Sequence, residues 1–541
     1  MSTASFLPAA PRVRRRLNIR RMAAWLAACA SDPKAAPWLV IGFAAAHAVL
    51  WTLILVNLKA AQDVHMDVAE AFAWGQKFQF GYGKHPPLAG WVAGVWFRIF
   101  PVANWATYAL AMATLGCGLV ICWLIALRVV DRRRAFFVVV MLALYPIFNF
   151  KGFKYNPDLL QLVTLPLLVL AFLHAFAERS WRSGLWLGLA GALALMTKYW
   201  VLTMIGAIGI AALIHPDRWL FLRSPAPWVA IATLVVAMVP HLIWLKQVDF
   251  VPLTYAGDVY GLSSRAQSTQ LVLGYVGHNL ALLAAPVVLA ALAMAWSPRW
   301  WMTRARQPLA LFTRAWSRGE NTGVNASQAL NIWIIQIVVA VGPPLGGLIF
   351  TVYMKTDWGI SLFFLTPLAL VAIPSLRLHR IALFHIAAIW LVITLAVLAV
   401  SPTIAARELA ENPNGASGYG ARSELARELT EAWQTRFHTR WAVVAGTTEI
   451  GEPMTFYSPD HPAPFTPGEV WSSGLTSLEE ARRLGFIGIC DTSDPRLPVC
   501  DAWMAANADR AERLAITTQR FFHGHPGPAI SWKVYVVPPA Q

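Results

Sequence analysis

The sequence predicts a mainly α fold: a polytopic membrane helical bundle of about 11 transmembrane helices, followed by a small α/β domain at its C-terminal end. Three observations carry this. Hydrophobic residues make up 57% of the 541 positions and charged residues 13%, about half the roughly 25% usual for soluble domains. Apolar runs of span length recur from Pro37 to about residue 400, with short charged stretches between them. Beyond residue 401 the runs shorten, and 12 Lys and Arg stand against 16 Asp and Glu, a net charge of −4 that leaves +20 for residues 1–400.

Residues 1–36 read as a basic cytoplasmic segment bearing Arg12, Arg14, Arg15, Arg16, Arg20 and Arg21. A hydrocarbon core of about 30 Å takes roughly 20 apolar residues per helix. The candidate spans are 37–58, 105–128, 135–150, 158–177, 184–197, 199–214, 227–245, 272–295, 329–351, 358–375 and 381–400. The run Pro37–Leu58 lacks a small-residue cleavage site, so it is expected to be retained as the first helix. The stretch 184–214 reads either as one long helix or as a tight hairpin broken near Thr197-Lys198-Tyr199. Short loops rich in Lys and Arg face the cytoplasm, and this arbitrates. Only the hairpin keeps Arg132–Arg134, Arg179 and Arg182, Arg218 and Arg223, the group Arg299, Arg304, Arg306, Arg314 and Arg318, and Arg377 and Arg380 on one side. The outer side then holds the loop 59–104, residues 151–157, 246–271 and 352–357, and everything after 401. Clustering of charge in short loops also argues against nucleic-acid binding.

In residues 401–541, a helix over ARSELARELTEAWQTRF, a strand WAVVAG, a turn-rich FYSPDHPAPFTPG, a helix SLEEARRLG and strands FIGIC and ISWKVYVV describe a soluble α/β unit. Cys490 and Cys500 close the short loop CDTSDPRLPVC. In an oxidising compartment this pair forms a disulfide; the alternative is two free thiols. No Cys/His spacing resembles a zinc site.

The outer loop concentrates the charge, in DVHMDVAEAFAWGQKFQFGYGKHPPLAGW, residues 63–91. Asp63, Asp67 and Glu70 share one face at helical spacing. Gly81-Tyr82-Gly83 is a turn, and His85-Pro86-Pro87 forces an extended entry into the next element. A solvated connector is one reading. A cation held at bilayer level beside a carboxylate also suits binding a lipid phosphate and deprotonating a hydroxyl.

The order Asp67, Ala69, Glu70, then Trp74, Gly81-Tyr82 and Pro86-Pro87-Leu88 resembles polyprenyl-phosphate-sugar glycosyltransferases of the GT-C class. The nearest branch is the bacterial one that holds aminoarabinose transferases of lipid A and rhizobial galacturonosyltransferases, itself related to protein O-mannosyltransferases. YNPDLLQL, with Pro157-Asp158, and LALMTKYW, with Lys198-Tyr199, are further matches. The resemblance implies a catalytic membrane domain over 37–400, with Asp67 as catalytic base or acceptor-orienting group. It implies that Lys84 or His85 faces the donor phosphate, that Asp158 contributes to the sugar or acceptor site, and that Glu70, Tyr82, Lys154 and Lys198 assist in binding. Two departures stand out. Val68 follows Asp67 where many relatives carry a second acid, and His85 precedes Pro-Pro where Lys is common.

The expected reaction moves a sugar from a polyprenyl-phosphate carrier to a lipid, lipopolysaccharide or protein acceptor, at the periplasmic face of a bacterial inner membrane, with inversion. No metal or other cofactor is expected, and no nucleic-acid partner. Bland roles compete for several residues. Asp158 also suits a helix cap, Lys198 a snorkelling cation, and Lys151 and Lys154 interfacial cations. Lys355, Asp357 and Trp358 suit anchors as well as ligands. Tyr255, Asp258 and Tyr260 form a candidate gate, and 456–462 a candidate lip on the acceptor side. A lipid-sugar transporter would place ionisable groups inside its spans, and a non-catalytic envelope assembly protein is the third class.

Overall fold

Seven helices among the described residues are long and apolar enough to cross a bilayer: Ala35–Leu58, Asn104–Val129, Pro157–Glu178, Pro225–Gln247, Arg265–Ala295, Ala326–Phe350 and Arg380–Glu411. They belong to a computed structural model that describes residues 19–262, 264–295, 323–411, 417–467, 469 and 474–540. Arg12, Arg14, Arg15, Arg16 and the group Arg299, Arg304, Arg306, Arg314 and Arg318 lie outside the described residues, as does the side chain of Asp258.

Each predicted span coincides with helical chain, but four are not straight crossings, so the count of 11 is corrected to seven long helices and several broken or short ones. Arg132–Ala143 bends by 78° into Pro146–Phe153, where Pro146 opens a new turn because it has no N–H to continue the old one. Trp181–Leu195 has 15 residues, about 22 Å at 1.5 Å per residue. The predicted tenth span starts as the 3-10 helix Thr356–Leu365 and ends after the six-residue helix Thr366–Val371. The hairpin is present. The chain breaks at Thr197-Lys198, and Leu202–Ile214 returns to the inner end, where His215 Nε2 meets Ser327 O at 3.1 Å. Its first arm packs closely on Pro225–Gln247: a Cβ on Gly184 would lie 2.4 Å from Ala226 O, and one on Gly188 2.5 Å from Ala230 O. This is the small-residue contact by which membrane helices approach.

The helix Arg380–Glu411 runs past the domain boundary expected at 401. Pro402 has no N–H for Leu398 O, and Ser401 Oγ donates to that carbonyl at 3.0 Å instead. Beyond it lies a five-stranded sheet of order β2-β1-β3-β5-β4, with β1 at Val443–Ala445, β2 at Ala463–Phe465, β3 at Phe486–Asp491, β4 at Glu512–Phe522 and β5 at His525–Val537. β1 pairs in parallel with β2 and β3, whereas β3, β5 and β4 are antiparallel. The β4–β5 hairpin turns at His523-Gly524, with φ of 49° and 80°, the positive pair that a tight hairpin requires. Trp433, Trp441 and Trp532 fill its core, and Cys490 and Cys500 are joined as a disulfide between β3 and the helix Leu497–Asn507.

This domain grips the outer loop. Asp63 is buried, with Oδ1 accepting from Arg520 Nη2 at 2.6 Å and Oδ2 from the Arg422 backbone N–H at 3.2 Å. The Val64 N–H donates to Tyr457 Oη at 2.6 Å, and Tyr457 Oη reaches Asn104 Oδ1 at 3.2 Å. Phe72 packs edge-on against Phe456 and His461, so the segment 456–462 braces the loop rather than standing open as a lip.

Candidate active site

The outer loop folds into two short helices, Met66–Gly75 and Leu88–Ile99. They touch so closely that a Cβ on Gly75 would lie 2.6 Å from Gly94 Cα. His65 caps the first: its backbone is extended and its Nδ1 accepts the Asp67 N–H at 3.1 Å. Asp67 therefore sits in the first turn, where the helix dipole favours a carboxylate.

Asn156 ties Asp67 to the next outer loop. Its Oδ1 accepts from the Leu159 N–H at 2.9 Å, capping Pro157–Glu178, while its Nδ2 donates to Asp67 Oδ2 at 2.7 Å. The cap belongs to Asn156, and Asp158 is released to the site. Lys198 Nζ holds the two Asp158 oxygens at 2.7 and 2.8 Å, and Gln161 Nε2 donates to Oδ1 at 3.1 Å. Lys198 is buried, with its ammonium over the Trp358 ring at 5.4 Å. It is a buried ion-pair partner and not a snorkelling residue.

These groups border a cavity of about 300 Å³. Lys59, Lys151, Lys154 and Lys355 line it, together with Asp67, Asp158, Asp357 and Glu408. Lys154 Nζ stands 3.6 Å from Asp67 Oδ2 and 3.9 Å from Asp357 Oδ2. Lys151 Nζ reaches His278 Nε2 at 3.4 Å, and Lys355 makes no ion pair among the described residues. Burial works to raise the Asp67 pKa, but His65, the Lys154 ammonium and the Asn156 amide overcome it and hold the carboxyl below the usual range. Asp67 is ionised at any physiological pH.

The other sequence-derived candidates form a second cluster beside the cavity. Glu70 Oε1 lies 2.5 Å from Lys84 Nζ, and both side chains are nearly inaccessible. Burial pushes Glu70 up to about 7, with Lys84 opposing and Asp67 and Glu469 adding to the rise. Glu452, from the outer domain, is buried in the same cluster, and its Oε2 finds no donor among the described residues. Burial, and then the nearby Lys198 and Lys84, keep His85 neutral. Tyr82 stacks on Trp74 at 5.0 Å and donates to Lys77 O at 2.8 Å. Asp67, Lys154 and Asp158 thus meet at the cavity wall with Lys198 directly behind. Glu70, Tyr82, Lys84 and His85 are not among its lining residues. Where the resemblance puts Lys84 or His85 at a phosphate, the structure presents Lys59, Lys151, Lys154 and Lys355.

Of the weaker candidates, Lys151, Lys355 and Asp357 line the cavity, and Trp358 backs Lys198. Tyr255 and Tyr260 meet hydroxyl to hydroxyl at 3.3 Å, with the Tyr255 ring 6.4 Å from His85. Sequence reasoning missed His65, Asn156, Lys59 and Glu408. Asn156 had a signal, since Asn before Pro at a helix start is a capping pattern. Lys59 directly follows a charge-free run. Glu408 had none. Among the described residues no group of three His, Cys, Asp or Glu is placed to hold a metal ion.

Apolar spans, two short helices in the first outer loop with an acid at the head of the first, and an α/β domain seated on that loop define a GT-C-type fold. Residues 84–244 match the family model described as dolichyl-phosphate-mannose-protein mannosyltransferase. The chain is 25% identical over 240 residues to the lipid A galacturonosyltransferase RgtD of Rhizobium johnstonii. That match covers 42% of this chain and 47% of the relative, so it spans about half the relative's length. ArnT from Cupriavidus metallidurans, solved bound to undecaprenyl phosphate, shares the fold with a TM-score of 0.57 at 12% identity, over 93% of this chain and 99% of that one. The family match begins at Lys84, so Asp67 and Glu70 lie upstream of it.

Proposed function

We propose that this protein is an inner-membrane glycosyltransferase that moves a sugar from a polyprenyl-phosphate carrier to a hydroxyl of a lipid or lipopolysaccharide acceptor at the periplasmic face, with inversion. The observation that carries the reading is one cavity at the outer ends of the spans with an ionised Asp67 among four lysines. Support also comes from the likeness to RgtD, named for lipid A galacturonosyl transfer, and to ArnT, solved with undecaprenyl phosphate.

In this mechanism the donor phosphate lies against Lys59, Lys151, Lys154 and Lys355. The acceptor oxygen attacks the anomeric carbon as the bond from that carbon to the phosphate oxygen breaks. The hydroxyl proton passes to Asp67, and polyprenyl phosphate leaves with the bonding electrons. Fixed cations aimed at the developing charge stabilise this transition state, so the ammonium groups supply what a metal would and none is required. Lys154 has a second effect. Shared between Asp67 and Asp357 at 3.6 and 3.9 Å, it damps the basicity of Asp67. A phosphate that draws Lys154 away makes Asp67 a better base only when the donor is in place.

The test supplies membranes holding wild type or Asp67→Asn with polyprenyl-linked sugars, then reads lipids, lipopolysaccharide and envelope proteins by mass spectrometry. A mass increment seen only with wild type supports the reading and names sugar and acceptor. Equal products from both proteins would remove Asp67 from the chemistry. No increment from either, with both inserted, would favour a lipid-sugar transporter.

A further inference from the structure

A second cavity, of about 550 Å³, lies at the other end of the bundle. The span Asn104–Val129 sets the separation. Asn104 touches Tyr457 of the outer domain, and the cavity lies just past Val129, about 39 Å away along a 26-residue helix. Its walls are Ser31 at the end of the helix Ile19–Ser31, Asp131 to Arg134 at the head of Arg132–Ala143, Gly323, and the turn Arg377-Leu378.

Asp131, the one acid of this lining among the described residues, is fully engaged with its own helix. Asp131 Oδ1 accepts from the Arg133 and Arg134 backbone N–H groups at 3.0 and 3.1 Å, and Oδ2 lies 3.5 Å from Arg134 Nε. Arg134 also donates to Leu376 O at 2.7 Å, tying the two walls together. The side chains of Arg132, Arg133 and Arg377 find no carboxylate partner among the described residues. A general excess of basic residues on the cytoplasmic side accounts for arginines in loops. It does not account for three guanidinium groups without a carboxylate partner among the described residues, from two distant segments, converging on one concave site.

We propose that this cavity binds a phosphate group, carried either by an anionic phospholipid headgroup of the adjoining leaflet or by a soluble phosphate compound. Guanidinium groups match phosphate oxygens with paired hydrogen bonds and are weakly hydrated, and basic pockets between membrane helices on this side suit anionic headgroups. The site is separate from the sugar-transfer cavity and stands whether or not that reading does.

The experiment uses the full-length protein in nanodiscs of phosphatidylcholine with and without phosphatidylglycerol, and native mass spectrometry reads the lipid retained. A parallel titration offers inorganic pyrophosphate to the protein in phosphatidylcholine alone. Each arginine removed is expected to weaken binding about five-fold, so Arg132→Gln/Arg133→Gln/Arg377→Gln loses about a hundred-fold. Arg377→Gln alone, in a turn clear of the helix start, loses about five-fold and guards against a folding defect in the triple variant. Phosphatidylglycerol retention with this dependence assigns a lipid headgroup; pyrophosphate binding with it assigns a soluble ligand. Binding of neither, or binding unchanged in Arg377→Gln and in the folded triple variant, overturns the proposal.

Discussion

Asp67 and Glu70 sit one turn apart on the same ten-residue helix, yet they end in opposite electrostatic states. Asp67 meets an amide donor, a lysine and a cavity, and stays ionised. Glu70 is sealed between Lys84 and the outer domain's Glu452, and burial lifts it to about 7. Helical spacing puts both acids on one face. What each meets across that face decides which borders the cavity and which is sealed against a lysine.

Replacing each acid in turn is the sharpest way to break this contrast. Asp67→Asn is expected to lower transfer about a thousand-fold, the scale of a lost general base, with unchanged protein in the membrane by immunoblot. Activity within a few-fold of wild type would erase the distinction. Glu70→Leu is expected to act on stability, by about 3 kcal/mol, because it leaves the buried Lys84 ammonium without its acceptor. Thermal unfolding in detergent reads this, and the double change Glu70→Leu/Lys84→Met should recover most of the loss. Lys355→Gln removes a cation that makes no ion pair among the described residues, so turnover is expected to fall about a hundred-fold while the melting temperature holds.

The smallest effect is in pH. A carboxyl with a raised pKa keeps its proton longer in the folded state than in the unfolded chain. Its stabilising contribution is complete below the ordinary value of 4.5 and is lost as pH rises through about 7. The melting temperature should therefore fall between about pH 5 and pH 8. Glu70→Gln, which removes the titrating carboxyl, should flatten that fall. A slope unchanged in Glu70→Gln would place the titration elsewhere.

The long spans were legible because a charge-free run of twenty residues has few other fates. The broken ones were not, because composition does not report a bend at Pro146 or a 3-10 turn at Thr356. In the outer domain β3 and β5 stood out as apolar strings, whereas β4 was missed: its residues are mostly exposed, and ERLAITTQRFF lacks a clean alternation. The helix Thr448–Tyr457 was hidden by Gly451 and Pro453, both poor interior residues. Asp67, Asp158 and Lys198 were singled out from motifs, and Lys154 as a neighbouring cation; all four are at or directly behind the cavity wall. Glu408 was missed and Lys355 was left between anchor and ligand, because both reach the cavity only through the tertiary path of distant segments. Lys84 and His85 illustrate the converse. They belong to the most recognisable stretch, and their burial against Glu70 and Tyr255 is invisible in sequence.

The helix Arg380–Glu411 crosses the bilayer, passes Pro402 without losing its carbonyl partner, and carries Glu408 into the cavity wall. At 32 residues it is about 48 Å long, so its last turns stand clear of a hydrocarbon core of about 30 Å. One continuous rod thereby runs from the far end of the bundle to the wall of the cavity, and whatever displaces its polar tip displaces Glu408 with it.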